Sequence, residues 1–240
     1  EKADIAPLVR EIPEKAKKLF DRFFPGPLTV ILPKSDKIGK VVSGGLDTVA
    51  VRMPENPVAH RLLQLAGVPV AAPSANTSGL PSPTRAKYVQ EDMNGKIAAI
   101  VDGGDCAYGV ESTVITLATP TPTLLRPGAV TKEMLEAEIG PIAVAPAVLE
   151  KMADGETAAS PGMKYKHYAP KADVCMVDAS AEDYAAFLHT HSEAAALCFN
   201  EDVPYLKNRC VPYGSAADSL SQAHGLFTSL HHLDEIGAKT

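Results

Sequence analysis

The 240-residue chain contains no Trp, only 7 Tyr and 6 Phe, and only 4 Cys. Cys106, Cys175, Cys198 and Cys210 form no CxxC and no Cys/His ligand spacing. That excludes a zinc ribbon, a thioredoxin-type redox pair and a disulfide-dense secreted scaffold. Isolated thiols in strand-like contexts (Val174-Cys175-Met176, Leu197-Cys198-Phe199) read as buried apolar filler in a reducing compartment, hence a cytoplasmic protein. No apolar run approaches the ~18–20 residues of a membrane span, and no signal-peptide pattern is present. The GxxxxGK[ST] and GxGxxG phosphate loops, the GxSxG elbow and the HExxH helix are missing as well, which removes the motifs on which several common chemistries rest.

Net charge is lacking from the first part of the chain. Residues 1–143 hold 16 basic and 16 acidic residues and 15 of the 20 Pro. Residues 144–240 hold 7 basic and 13 acidic residues, and so carry the whole −6, with six of the seven His. Such a shift predicts two domains of different character, and an acidic second part gives no strong footprint for direct nucleic-acid binding. With 45% apolar and 22% charged residues the chain is globular, with enough apolar content for a real core.

What is there is clear punctuation. Ile12-Pro13 opens an amphipathic run over 14–24 that stops at Pro25-Gly26-Pro27. Asn56-Pro57 has the form of an N-cap followed by an N1 proline, with Gly67 as the stop. Ser82-Pro83 repeats the device, with Asn94-Gly95 as the end, and Thr131 and Gly140 bracket 132–139. Strand-like segments lie at 28–32, 48–53, 68–72, 97–101, 112–117 and 124–126. The mixture predicts a mixed α+β (α/β) domain over residues 1–143. Residues 144–172 read as a linker with a short helix near 147–153. Yet Met163-Lys164-Tyr165-Lys166-His167-Tyr168-Ala169-Pro170 is too rich in rings and charge for a bland spacer and suggests binding. From 173 to 240 the pattern is strand (174–177), helix (181–191), strand (194–199), strand (209–213) and helix (216–233). This is a Rossmann-like α/β start that reads as cut short.

Candidate chemistry concentrates at strand ends. In Thr48-Val49-Ala50-Val51-Arg52 the period of two puts Thr48, Ala50 and Arg52 on one face. A guanidinium beside a hydroxyl suits a carboxylate or phosphate, although a surface ion pair would also explain it. Ala72-Pro73-Ser74-Ala75-Asn76-Thr77-Ser78-Gly79 offers small hydroxyl and backbone donors to an anion, or is simply a polar turn. Gly109-Val110-Glu111-Ser112-Thr113 enters a strand with Ser112 and Thr113 on opposite faces, and Arg126 ends another before Pro127-Gly128. Two Arg and several hydroxyls, with almost no His or paired acids, point to anion binding rather than general acid–base hydrolysis. His231-His232, His189 and His191 read as exposed helix residues: adjacent side chains on a helix point about 100° apart and do not share a metal.

Taken together, these motifs resemble a known family. Phe24-Pro25-Gly26-Pro27-Leu28-Thr29, residues 45–52, Ala72-Pro73-Ser74-Ala75-Asn76, residues 109–113 and Leu125-Arg126-Pro127-Gly128 occur in the order seen in YrdC-like domains. Residues 160–170 look like the linker of the long, two-domain threonylcarbamoyl-AMP synthases. The resemblance implies a YrdC-like twisted-sheet catalytic domain, a linker with a substrate-covering motif and a smaller Rossmann-like domain. It also implies the reaction: L-threonine, bicarbonate (or CO₂) and ATP, with Mg²⁺, give threonylcarbamoyl-AMP and pyrophosphate. The product would serve separate tRNA threonylcarbamoyl-transferase proteins that modify an adenosine beside the anticodon.

By position in these motifs, Thr48, Ser74, Ser82 and Arg126 resemble nucleotide contacts, joined by Tyr165, His167 or Tyr168 from the linker, among which no choice is made. Arg52, Ala72 and Ser112 resemble threonine contacts, with Arg52 as the carboxylate clamp. No catalytic dyad and no protein metal ligand is implied. The family's N-terminal threonine loop, KxR-type motif and His have no counterpart in these residues, so the resemblance implies a fragment. A YrdC-like RNA-binding module is the alternative. Carbamoyl transfer in hydrogenase maturation is disfavoured by the linker and second domain.

Overall fold

The computed structural model describes residues 2–149 and 170–240. By contacts these form two compact units: the chain up to Pro73 with the stretch from Glu111 onward, and Ser74–Val110 with residues 170–240. The helices are α1 (Glu14–Phe23), α2 (Pro57–Ala66), α3 (Ala86–Met93), α4 (Lys132–Ile139), α5 (Pro146–Leu149), α6 (Ala181–Thr190) and α7 (Ser219–Glu235).

The first unit is a five-stranded mixed sheet. Its strands are β1 (Leu28–Pro33), β2 (Thr48–Val51), β3 (Thr113–Thr116), β4 (Thr123–Arg126) and β5 (Ala143–Val144), in the order β2-β1-β3-β4-β5. β1 runs antiparallel to β2 and parallel to β3, with Leu28 opposite Thr113 and Val30 opposite Val51. Side-chain alternation along β1 serves two cores. Leu28, Val30 and Leu32 meet Ala16, Leu19, Phe20 and Phe23 of α1 and Leu135 and Ile139 of α4, while Ile31 joins Val114, Leu125 and Ala145. The i, i+3, i+4, i+7 spacing on α1 is what makes one face of that helix apolar.

The caps form as the sequence predicts. Asn56 Oδ1 accepts from the backbone N–H of Val58 (3.0 Å) and Ala59 (3.1 Å), and Gly67 takes φ 63°. Thr131 Oγ1 accepts from Met134 N–H at 3.3 Å. The Ser82-Pro83 device does not start a helix: α3 begins at Ala86, after an extended Arg85. Long-range bonds hold this stretch extended, since the Thr84 carbonyl accepts from Cys106 N–H (2.9 Å) and its hydroxyl meets that of Thr228 (2.7 Å).

Three expected strands are absent among the described residues. Residues 68–72, 97–101 and 174–177 remain unpaired, with Val68, Val101 and Met176 exposed by 61%, 66% and 91%. An apolar alternation marks a candidate strand, but a strand exists only where a neighbour takes up its backbone N–H and C=O groups. β2 is also shorter than expected, ending at Val51, so that Arg52 follows the strand rather than sitting in it.

In the second unit β6 (Ala195–Cys198) and β7 (Arg209–Pro212) pair in parallel, as a Rossmann-like βα arrangement requires. Val211 packs with Phe227, Leu230 and Leu233 of α7, and Leu188 of α6 packs with Ala194 and Ala196. The cysteines differ from expectation: Cys198 is buried and Cys210 half-buried, but Cys106 and Cys175 are exposed. Both exposed thiols lie in irregular chain, outside any strand that would have buried them. Burial, with Cys210 beside it, pushes the Cys198 thiol up to about 12. Among the described residues, no helix is long and apolar enough to cross a membrane.

Candidate active site

One end of the five-stranded sheet gathers the polar groups of the first unit. There β2 ends, β1 and β3 begin, and β4 ends. Arg52 Nε donates to the Gly26 carbonyl (3.1 Å), and Gly26 N–H donates to the Met53 carbonyl (2.9 Å). Thr113 N–H donates to the Pro27 carbonyl (3.0 Å), which ties the start of β3 to the same turn. A Cβ on Gly26 would come within 2.5 Å of the Phe23 carbonyl oxygen, so only glycine fits.

Arg126 is the hub of this end. Its Nε donates to the Ser112 carbonyl (3.0 Å), its Nη2 to Ser112 Oγ (3.0 Å), and its Nη1 to Glu111 Oε2. The Arg126 and Glu111 side chains are each only 17% exposed. A β-bulge between Val114 and Ile115 shifts the register of β3 on β4 next to Arg126, and such bulges re-aim side chains. Ser112 Oγ also lies 2.9 Å from Thr29 Oγ1. Because a guanidinium can only donate, Ser112 accepts from Arg126. Either hydroxyl can donate in that pair; where Thr29 does, the Ser112 hydroxyl keeps its own proton for a ligand. Gly128 passes close behind, where a Cβ would lie 2.5 Å from the Glu111 carbonyl oxygen and 2.6 Å from Thr113 N.

The residues singled out from sequence therefore divide. Ser112 and Arg126 are directly bonded, and Arg52 stands at the same sheet end. Thr48 belongs to the opposite end of β2, paired with Pro33, and Ala72 is exposed in irregular chain. Ser74 and Ser82 belong to the second unit. Tyr165, His167 and Tyr168 lie outside the described residues. The motifs that contain Glu111 and Thr29 do not by themselves assign either a role; a strand-end Arg requiring a counter-ion is the signal that points to Glu111.

In the second unit, Asn76 Nδ2 donates to the carbonyls of Thr77 and Leu80 (3.0 Å each), and its buried Oδ1 has no hydrogen-bond partner among the described residues. A cavity of about 340 Å³ opens on the same segment, lined in part by Ala75, Thr84, Arg85, Ile100, Asp102 and Cys106. The exposed-helix reading of His231 is overturned. Its ring stacks on Tyr88, centroids 3.8 Å apart and 9° from parallel, and its Nε2 lies 3.2 Å from the Ser82 carbonyl oxygen. Tyr88 is distant in sequence, so no local pattern announces the pair. Glu235 meets Lys87 at 2.5 Å and His232 at 3.1 Å. Those bonds hold its carboxyl below the ordinary glutamate range, Lys87 first. Among the described residues no three His, Cys, Asp or Glu side chains gather as a metal-ligating group.

Comparison with known proteins gives this arrangement a context. A family profile described as "Telomere recombination" (Sua5/YciO/YrdC) matches residues 1–128, and one described as "Threonylcarbamoyl-AMP synthase, C-terminal domain" matches residues 130–240. A Pyrococcus abyssi protein named threonylcarbamoyl-AMP synthase is 56% identical over 171 residues, 71% of this chain and 50% of its own length. A Bacillus subtilis protein of the same name is 44% identical over 229 residues, 93% of this chain and 65% of its own length. The crystal structure of P. abyssi Sua5 complexed with L-threonine superposes with a TM-score of 0.87 at 41% identity, covering 100% of this chain and 71% of that one. The chain thus spans between half and two thirds of the length of these curated relatives. With both profiles matched in succession, the chain belongs to the Sua5/YrdC family, in the form that joins this domain to the threonylcarbamoyl-AMP synthase C-terminal domain.

Proposed function

We propose that the protein is an L-threonylcarbamoyladenylate synthase, a cytoplasmic nucleotidyltransferase that joins L-threonine, bicarbonate or CO₂, and ATP. The threonine amine adds to the carbon of CO₂ and loses a proton, giving a carbamate. A carbamate oxygen then attacks the α-phosphorus of ATP, and pyrophosphate leaves. Mg²⁺ enters as part of the substrate, on the triphosphate oxygens. The threonylcarbamoyl-AMP would pass to tRNA threonylcarbamoyl-transferase proteins that modify adenosine beside the anticodon.

The observation that carries this reading is the donor-rich sheet end, in a chain whose relatives bear the synthase name. The reaction joins anionic partners and needs no nucleophilic side chain, only positioning and neutralisation of charge. Arg52 would clamp the threonine carboxylate, with Ser112 donating a hydroxyl proton and Ala72 a backbone group. Arg126 already engages three N–H groups within the protein. Its remaining two of the five a guanidinium carries would meet the nucleotide, together with Thr48, Ser74, Ser82 and a linker ring from Tyr165, His167 or Tyr168.

Pyrophosphate release by the full-length protein tests the proposal. Release should require L-threonine, bicarbonate and ATP together, and omission of any one should abolish it. No release with all three present, or salt-sensitive RNA binding in its place, would overturn the reading.

A further inference from the structure

Helix α7 carries two faces with different tasks. Phe227, Leu230 and Leu233 are buried toward β7. His224, Thr228, His231 and Glu235 recur at the i, i+4, i+7, i+11 spacing that forms one narrow stripe on a helix. Each of the four contacts the Ser74–Val110 segment. His224 Nδ1 lies 2.9 Å from the Ala107 carbonyl oxygen, Thr228 Oγ1 2.7 Å from Thr84 Oγ1, His231 Nε2 3.2 Å from the Ser82 carbonyl oxygen, and Glu235 Oε1 2.5 Å from Lys87 Nζ. A carbonyl oxygen can only accept, so both imidazoles donate in these bonds.

Backbone approaches reinforce the seat. A Cβ on Gly109 would fall 2.1 Å from the His224 carbonyl oxygen, so the loop rests directly on the helix. Tyr88, stacked on His231, is 3% exposed. The two partners stand 143 positions apart in the chain and fall in the two different profile matches. A helix used only to cover β7 would need no second, polar stripe with a partner at every turn.

We propose that α7 is part of the nucleotide-binding apparatus, its polar stripe holding the 82–109 segment in shape, with His231 the positioning residue that fixes the Ser82 backbone. The inference rests on the reading of Ser82 as a nucleotide contact. The imidazole holds Ser82 from behind by one hydrogen bond and packs Tyr88 by its ring, so that the serine enters a ligand-ready geometry before ATP arrives. The C-terminal domain thereby sets ATP affinity.

Steady-state kinetics on the full-length protein separate the cases. His231→Phe keeps the ring stack and removes only the donor; it should raise KM for ATP about five-fold, the scale of one lost hydrogen bond, and leave KM for L-threonine within about two-fold. His231→Gln, which places an amide N–H near the Nε2 position, should recover most of the loss. Equal rises in both KM values, or His231→Gln no better than His231→Phe, would mean a merely structural role and overturn the proposal. Ser82→Ala and Ser82→Gly are measured alongside. If both leave KM for ATP unchanged while the synthase reaction proceeds, the reading of Ser82 fails and the inference falls with it. No reaction in the unsubstituted protein would instead count against the proposed function.

Discussion

The sheet end around Arg126 and the α7 stripe around His231 are both polar clusters, but they are assembled differently. At the sheet end Gly26, Arg52, Glu111, Ser112 and Arg126 reach one another through strand registers, so each residue sits beside a backbone already fixed by ladder bonds. On α7 the partners come from irregular chain at Ser82, Thr84 and Ala107 and from Lys87 and Tyr88 of α3, and side chains, rather than ladder bonds, hold them. The difference predicts sharp, local consequences for changes at the first cluster and graded ones at the second.

The largest effect belongs to Arg126→Met. It removes all three donors at once and leaves Glu111, 17% exposed, without its cation, so kcat/KM should fall by about a hundred-fold or more. Thermal unfolding measured alongside should show a clear loss of stability. Glu111→Gln keeps an acceptor for Arg126 but removes the charge. It should cost about three- to ten-fold in kcat/KM, on the scale of weakening one charge-assisted hydrogen bond. If Glu111→Gln were as damaging as Arg126→Met, the carboxylate would be more than a holder of the guanidinium.

On α7 the corresponding electrostatic effect is small. Glu235 titrates lower in the folded chain than its ordinary value, and Lys87 higher. The pair's contribution is therefore present at neutral pH. It fades on the acid side as the pH falls below 4.5, the ordinary glutamate value, and on the alkaline side above 10.5, that of lysine. With the side chains 46% and 35% exposed, it amounts to less than about 1 kcal/mol after screening by water. Glu235→Gln should flatten part of the acid limb of a stability–pH profile and leave neutral stability nearly unchanged; an unaltered acid limb would show that the pair contributes nothing. Smallest of all, brief alkylation should label Cys106 and Cys175 with no loss of fold, while Cys198 reacts only on unfolding. Mass spectrometry of the labelled peptides reads this directly.

How much was legible in the sequence follows the same division. Helix caps are local devices, and Asn56-Pro57 and Thr131 performed as written. Arg126 is legible as a strand-end donor because Pro127-Gly128 stops its strand, whereas the expected strands 48–53 and 112–117 include Arg52 and Ser112, which lie just outside β2 and β3, since alternation does not fix the terminal residue of a strand. The Thr29 and Glu111 contacts are not legible, because a motif shows which residues are neighbours in sequence and not which hydroxyl or carboxylate bonds to which. The apolar runs at 68–72 and 97–101 carry strand propensity, but pairing is a long-range property and no described neighbour supplies it. His231 was misread for the same reason: its i−3 and i+4 neighbours say nothing of Tyr88, 143 positions away. Ser82-Pro83 failed as a helix start because Thr228 and Cys106, both remote, hold Thr84.

The central claim, that the Arg52 end of the sheet receives a threonine carboxylate, is tested most directly by titrating the full-length protein with L-threonine and with its methyl ester. The free acid should bind and the ester should bind at least about ten-fold more weakly, the scale of a lost charge-assisted contact. Arg52→Ala should bring the acid down to the level of the ester while KM for ATP stays within about two-fold. An ester that binds as well as the acid, or an Arg52→Ala variant that impairs both substrates equally, would contradict the account.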